Sequence, residues 1–262
     1  MSEFKISLID VCIKDLSFPI KIGLKNSSEG INTLADMTVR STIDRKMEND
    51  FKIQVPKIIN DIQSYVGPRQ LSSKLINFID TLNAKSINII FKFPFFYGKK
   101  LNELNERFLV KYPCEYSFSK TSLINYKQTY KVEVPIIAEQ YQLIGIPSES
   151  IDMPLKIIVE IESFEAIFIE DIIRTVEHNF YRTENHNLKD VIKGLLNLKN
   201  QSNVELDLIE SIKKDLFNNN EIKNCSVEFN NQRIPYNYSI KVSAEDSLVE
   251  KEVKNIEVPL FI

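Results

Sequence analysis

Two stretches of strict hydrophobic and polar alternation frame one polar segment near the middle of the chain. Tyr130, Val132, Val134 and Ile136 alternate with Lys131, Glu133 and Pro135, and Leu155, Ile157, Val159 and Ile161 repeat the pattern. A period of two marks a half-buried strand. Strand scaffolds commonly present their chemistry on loops framed in this way. Yet the segment from Gln140 to Asp152 contains no Cys, no His and no Lys.

The same pattern organises the rest of the chain. Ser17 to Leu24 reads as a strand, and Asn32 to Asp44 as another, with Ala35, Met37, Val39 and Ile43 on one face. Apolar spacing of three and four predicts a helix from about Asp50 to Tyr65, through Val55, Ile58, Ile59 and Ile62. A second helix opens after the Gly67-Pro68 turn and runs through Leu71, Leu75, Ile79 and Leu82. Strands follow at Lys85 to Phe96 and Arg107 to Lys120, the latter with Pro113 expected at a bulge or sheet edge.

The second half repeats this order. After the framed loop comes a helix with Ile169, Ile172, Ile173, Val176 and Phe180 on one face and Asp171, Arg174 and His178 on the other. Further helix is expected from Leu188 to about Phe217, interrupted near Lys199 to Asn203. Strands at Lys223 to Asn230 and Tyr236 to Ala244 close the pattern. Each half therefore reads strand-strand-helix-helix-strand-strand. The fold class is α+β: two tandem units, residues 1–124 and 125–262, each a four-stranded antiparallel sheet with two helices on one face. Eight strands leave sheet edges that need partners, so a homo-oligomer, a dimer or tetramer, is expected.

Composition narrows the function classes. A net charge of −3 and a pI near 5.7 give no electrostatic basis for binding nucleic acid or an anionic membrane. No apolar run approaches a membrane span and the first residues lack a signal-peptide pattern, so a cytoplasmic protein is expected. Cys12, Cys114 and Cys225 are too widely spaced for a disulfide framework or a zinc motif. Cys225 alternates with Val227 and Phe229 as a buried strand residue would, and neither Cys12 nor Cys114 has a nearby His. His178 falls on a polar helix face and His186 in a turn. Tyr97 to Lys100 lacks the upstream glycine of a phosphate loop and reads as a hairpin turn.

Short segments in a fixed order carry a resemblance. Val11 to Ile22, Phe91 to Phe96, Tyr130 to Ile136 and Leu208 to Ser239 resemble GTP cyclohydrolase type IB, a bimodular tunnelling-fold family. The resemblance runs from about Val11 to Val242 and implies the tunnelling fold, with pockets formed between subunits. It also implies zinc-dependent opening of the guanine imidazole ring of GTP, the metal activating water.

Gln140, Tyr141 and Gln142 stand where that family carries Cys-Pro-Cys, and Asp152 stands where it carries a His. The family's C-terminal His-Asn-His-Ser falls on Pro235 to Asn237 or on Asn237 to Ser239, depending on the register; in the ungapped register Tyr238 takes the place of the second His. The family's Lys-Gly-Thr-His-Met-Ser-Arg-Phe falls on Glu48 to Val55, which keeps none of its polar groups. The expectation is a member that has lost the zinc site and needs no cofactor. Its candidate binding residues are Gln140, Gln142, Glu149, Asp152 and Tyr238, which can donate to and accept from the edge of a purine- or pterin-like heterocycle.

Three functions remain open. One is binding of such a heterocycle at a subunit interface without the parent reaction. Another is a metal-free enzyme, cyclase- or aldolase-like, with Asp152 and Tyr238 as acid–base candidates. The third is a non-catalytic structural or regulatory subunit paired with an active paralogue.

Overall fold

The structure is a computed structural model. It describes residues 8–25, 27–61, 67–100, 107–121, 126–136, 155–182, 204–231, 238–245 and 251–256. The chain forms two compact units, Met1–Thr129 and Tyr130–Ile262.

In the first unit, β1 (Leu8–Leu24), β2 (Ser27–Asp44), β3 (Ser86–Lys100) and β4 (Arg107–Thr121) lie side by side in that order, each antiparallel to the next. Helices α1 (Glu48–Asn60) and α2 (Pro68–Thr81) connect β2 to β3. The strand alternation explains which face the helices cover. Ile20, Met37, Val39, Ile89, Phe91, Phe95 and Tyr112 point to one face and are fully or almost fully buried. They meet Phe51, Val55 and Ile59 of α1 and Leu71, Leu75 and Ile79 of α2, all buried. Helix α1 starts two residues before the expected Asp50, directly after a short 3₁₀ turn that Asp44 caps by accepting from the Lys46 amide at 2.9 Å.

Strand β1 begins at Leu8, well before the expected Ser17. The alternation changes phase inside it: Ile9, Val11 and Ile13 share a face with the even-numbered Leu16, Phe18 and Ile20. The β1–β2 register shifts between Ile13 and Leu16, and Asp15 sits there with φ of 56°. A bulge of this kind inserts one residue and reverses the parity of all that follows. Such a shift hides a strand from a period-two reading.

Pro113 does not sit at a bulge. It stands directly opposite Pro94 in an unbroken β3–β4 register. The carbonyl of Pro94 accepts from Thr33 Oγ1 on β2 at 2.9 Å, so its nitrogen and carbonyl both face β2. Within the β3–β4 ladder this is then a pair that exchanges no backbone hydrogen bond, and missing N–H groups cost nothing there. On the other side, the β2–β3 pairing ends at Asp36 and Lys92, just before Pro94.

The second unit follows the same plan. Its strands are β5 (Lys127–Ile136), which straddles the division, β6 (Leu155–Ser163), β7 (Ile222–Asn231) and β8 (Tyr238–Glu245), side by side in sequence order. Helices α3 (Ile169–Arg182) and α4 (Val204–Phe217) connect β6 to β7. Val132, Val134, Ile157, Val159, Ile161, Val227 and Phe229 alternate inward onto Ile172, Ile173, Val176, Leu208, Ile209 and Ile212, all buried. The expected helical residues before Val204, and His186, lie outside the described residues. One strand was not expected: β9 (Lys251–Ile256) pairs antiparallel with β8, from Tyr238 opposite Ile256 to Ser243 opposite Lys251.

Candidate functional site

The site begins with the register of the second sheet. Ile136 closes β5 and Leu155 opens β6, so both ends of the intervening segment, 137–154, are anchored at one end of this sheet. Lys156 stands opposite Asn230 on β7, which in turn faces Ser239 on β8. One step further out, Asn231 faces Tyr238. Neighbouring strands lie about 4.8 Å apart, which places the β6 start and the first residue of β8 about 10 Å apart across β7. Topology therefore brings the framed segment's anchor and Tyr238 to the same sheet end.

Gln140, Gln142, Glu149 and Asp152 themselves lie outside the described residues, and of Tyr238 only the strand position is described. The strands that flank this segment are braced on the helix-free face. Lys156 Nζ donates to Glu133 Oε2 at 2.8 Å between β6 and β5, both side chains partly buried. At the other end of β6, Asn224 Nδ2 donates to Glu162 Oε2 at 3.1 Å, and Lys223 pairs with the other oxygen of Glu162 at 3.2 Å.

The helix side carries polar groups that the sequence pattern gave no reason to single out. Asn179 of α3 donates to Asp215 Oδ2 of α4 at 2.9 Å and accepts from Ser211 Oγ, a satisfied network that locks the two helices together. Lys213 is buried, and its Nζ has no hydrogen-bond partner. Its charge acts on Cys225, lowering that thiol's pKa, but burial dominates and pushes the pKa up to about 12. The folded chain keeps this thiol protonated at pH values where the unfolded chain ionises it. Its stabilising contribution is complete below pH 9.0 and is lost as pH rises through about 12. Replacing Cys225 by Val is expected to flatten the alkaline loss of stability; urea midpoints at neutral pH and at about pH 10 measure it.

The zinc implied by the resemblance needs three or four converging thiolate, imidazole or carboxylate donors. Cys225 is a core thiol, and Cys114 is buried in the other unit with its Sγ donating to the Tyr112 carbonyl at 3.4 Å. Cys12 is exposed on β1 and His178 is exposed on α3. Among the described residues no group of three His, Cys, Asp or Glu side chains is placed to hold a metal. No helix among the described residues is long and apolar enough to cross a membrane.

No protein-family profile matches the chain. Curated proteins do. The chain is 24% identical to the GTP cyclohydrolase FolE2 of Geotalea uraniireducens over 255 residues, spanning 95% of this chain and 92% of that protein. It is 24% identical to the GTP cyclohydrolase FolE2 of Citrifermentans bemidjiense over 170 residues, 64% of this chain and 62% of that one. Among solved structures, a highly active mutant of the urate oxidase BTUO superposes with a TM-score of 0.50 at 10% identity, covering 94% of this chain and all of that one. Doubled strand-strand-helix-helix-strand-strand units and this structural likeness agree on the fold. The chain is a tunnelling-fold protein whose sequence relatives are GTP cyclohydrolases of the FolE2 type.

Proposed function

We propose that this protein binds a purine- or pterin-like heterocycle through the segment between β5 and β6, without zinc-dependent ring opening of GTP. The observation that carries the reading is a substitution of donor types. At the positions where the FolE2-type resemblance puts Cys, Cys and His, this chain has Gln140, Gln142 and Asp152. Amides and a carboxylate are poor zinc ligands as a set, but they match the alternating donors and acceptors of a heterocycle edge. Glu149 adds a further acceptor, and Tyr238 opens β8 at the same sheet end.

A second reading draws on that last placement. Asp152 lies three residues before Leu155, and Leu155 and Tyr238 are anchored at one end of the sheet. A carboxylate and a phenol within reach of one ligand form a proton-shuttling pair for metal-free chemistry. Turnover of a bound pterin, lost in both Asp152→Asn and Tyr238→Phe, distinguishes this reading from binding alone. A subunit paired with an active paralogue would instead bind no heterocycle by itself.

Pockets of this kind form where sheet edges of several copies join, so the proposal includes a homo-oligomer, a dimer or tetramer. Light scattering at micromolar concentration is expected to give a multiple of 30.4 kDa. A thermal-shift screen with guanine nucleotides and pterins tests the binding itself. At least one is expected to raise the melting temperature by mass action; a flat response across the panel would reject the proposal.

A further inference from the structure

The helix-free face of the first sheet holds an open concavity of about 350 Å³, lined by residues of β1, β2 and β3. That volume is at the small end of the ~300–1,000 Å³ typical of small-ligand sites. The register arranges its side chains in two adjacent rows. Asp10, Thr42 and Ser86 form one row, and Cys12, Arg40 and Asn88 the next.

Hydrogen bonding in the first row has a fixed direction. Thr42 Oγ1 donates to Asp10 Oδ1 at 2.7 Å, and Thr42 and Ser86 hydroxyls lie 2.8 Å apart. Because the Thr42 proton is already committed to a carboxylate, Ser86 must be the donor in the second bond. Both protons point toward Asp10, whose other oxygen, Oδ2, has no hydrogen bond among the described residues.

The second row is unsatisfied. Asn88 Oδ1 is buried with no hydrogen-bond partner, the kind of acceptor that native proteins rarely leave unpaired. Beside it, the Arg40 guanidinium makes neither an ion pair nor a hydrogen bond among the described residues. Asp10 and Arg40 are diagonal neighbours, about 7–8 Å apart on adjacent strands. A simple anion would satisfy Arg40 but would face Asp10. A simple cation would have the reverse difficulty.

We propose that this concavity binds a small zwitterion of the α-amino acid class. Its carboxylate is taken by the guanidinium fork of Arg40, and its ammonium by Asp10 Oδ2. Each ligand charge meets the opposite protein charge.

Calorimetry on the full-length protein tests this, with glycine, L-serine and L-glutamine as probes against N-acetylglycine, glycinamide, acetate and inorganic phosphate. Free amino acids are expected to bind, and blocking either charge is expected to weaken binding about tenfold or more. Arg40→Gln and Asp10→Asn, both at exposed positions, are expected to fold normally by circular dichroism and to lose amino-acid binding. The proposal is overturned if no free amino acid binds the wild-type protein. Acetate or phosphate binding as tightly as glycine, or unchanged binding in folded Arg40→Gln, overturns it equally.

Discussion

Phe91→Ala is expected to destabilise the protein by about 3–5 kcal/mol, the range for truncating a fully buried aromatic side chain. Phe91 has no exposed surface and sits in β3 between Met37 of β2 and Tyr116 of β4, its direct partners in both registers. Its ring centroid is 6.1 Å from that of Tyr116. Removing the ring leaves a cavity between the sheet and its helices that a β-ladder on both sides prevents from collapsing. Against a typical total of about 5–15 kcal/mol, this loss is large. The next residue supplies the control. Lys92 faces the helix-free side and forms only a 3.8 Å ion pair with Glu115, so Lys92→Ala is expected to cost about 1 kcal/mol or less. Urea midpoints of the two variants measure the contrast. A small effect of Phe91→Ala would mean that the inward face of β3 is not the core.

Gln140→Ala combined with Asp152→Ala is expected to abolish most heterocycle binding while leaving the melting temperature of the free protein unchanged. Each lost hydrogen bond removes about 0.5–1.5 kcal/mol, and a bond to a charged partner about 1.5–3. Together the two changes weaken affinity by roughly thirty- to two-thousandfold. Stability is expected to hold because the core of this unit is built by the inward-facing positions of β5 and β6 against α3 and α4. Titration of the best ligand from the thermal-shift panel into both proteins reads the difference. Equal affinity would remove the loop from the binding site.

Most of the fold was legible because burial writes itself into strands as alternation. Val132, Val134, Ile157 and Val159 are buried as their spacing predicts, and so are Ile172, Ile173 and Val176 of α3. The first half of β1 escaped because the bulge at Asp15 reverses parity. Strand β9 escaped for another reason: Val253 and Ile256 are the only apolar residues in Lys251–Ile256, and their spacing of three does not alternate. Charged, short strands of this kind suit a sheet edge, where there is little core to encode.

The sites divide differently. The types of residue at Gln140, Gln142 and Asp152 are plain in the sequence, because a segment without thiols or imidazoles is conspicuous where ligands are expected. Their spatial arrangement is not plain, since an aperiodic loop has no pattern from which geometry follows. The two rows on β1, β2 and β3 were invisible for a related reason. Asp10 and Ser86 are joined through Thr42 only by long-range register, which no local spacing reports.

The most direct measurement is incubation of the purified protein with GTP, with and without added zinc, while following formate release and loss of the guanine absorbance. The donor types at Gln140, Gln142 and Asp152 predict no formate under either condition and no stoichiometric zinc retained after dialysis. Formate release that depends on zinc, is abolished by a chelator and is lost in Asp152→Ala would contradict this. It would make the protein a zinc-dependent GTP cyclohydrolase after all.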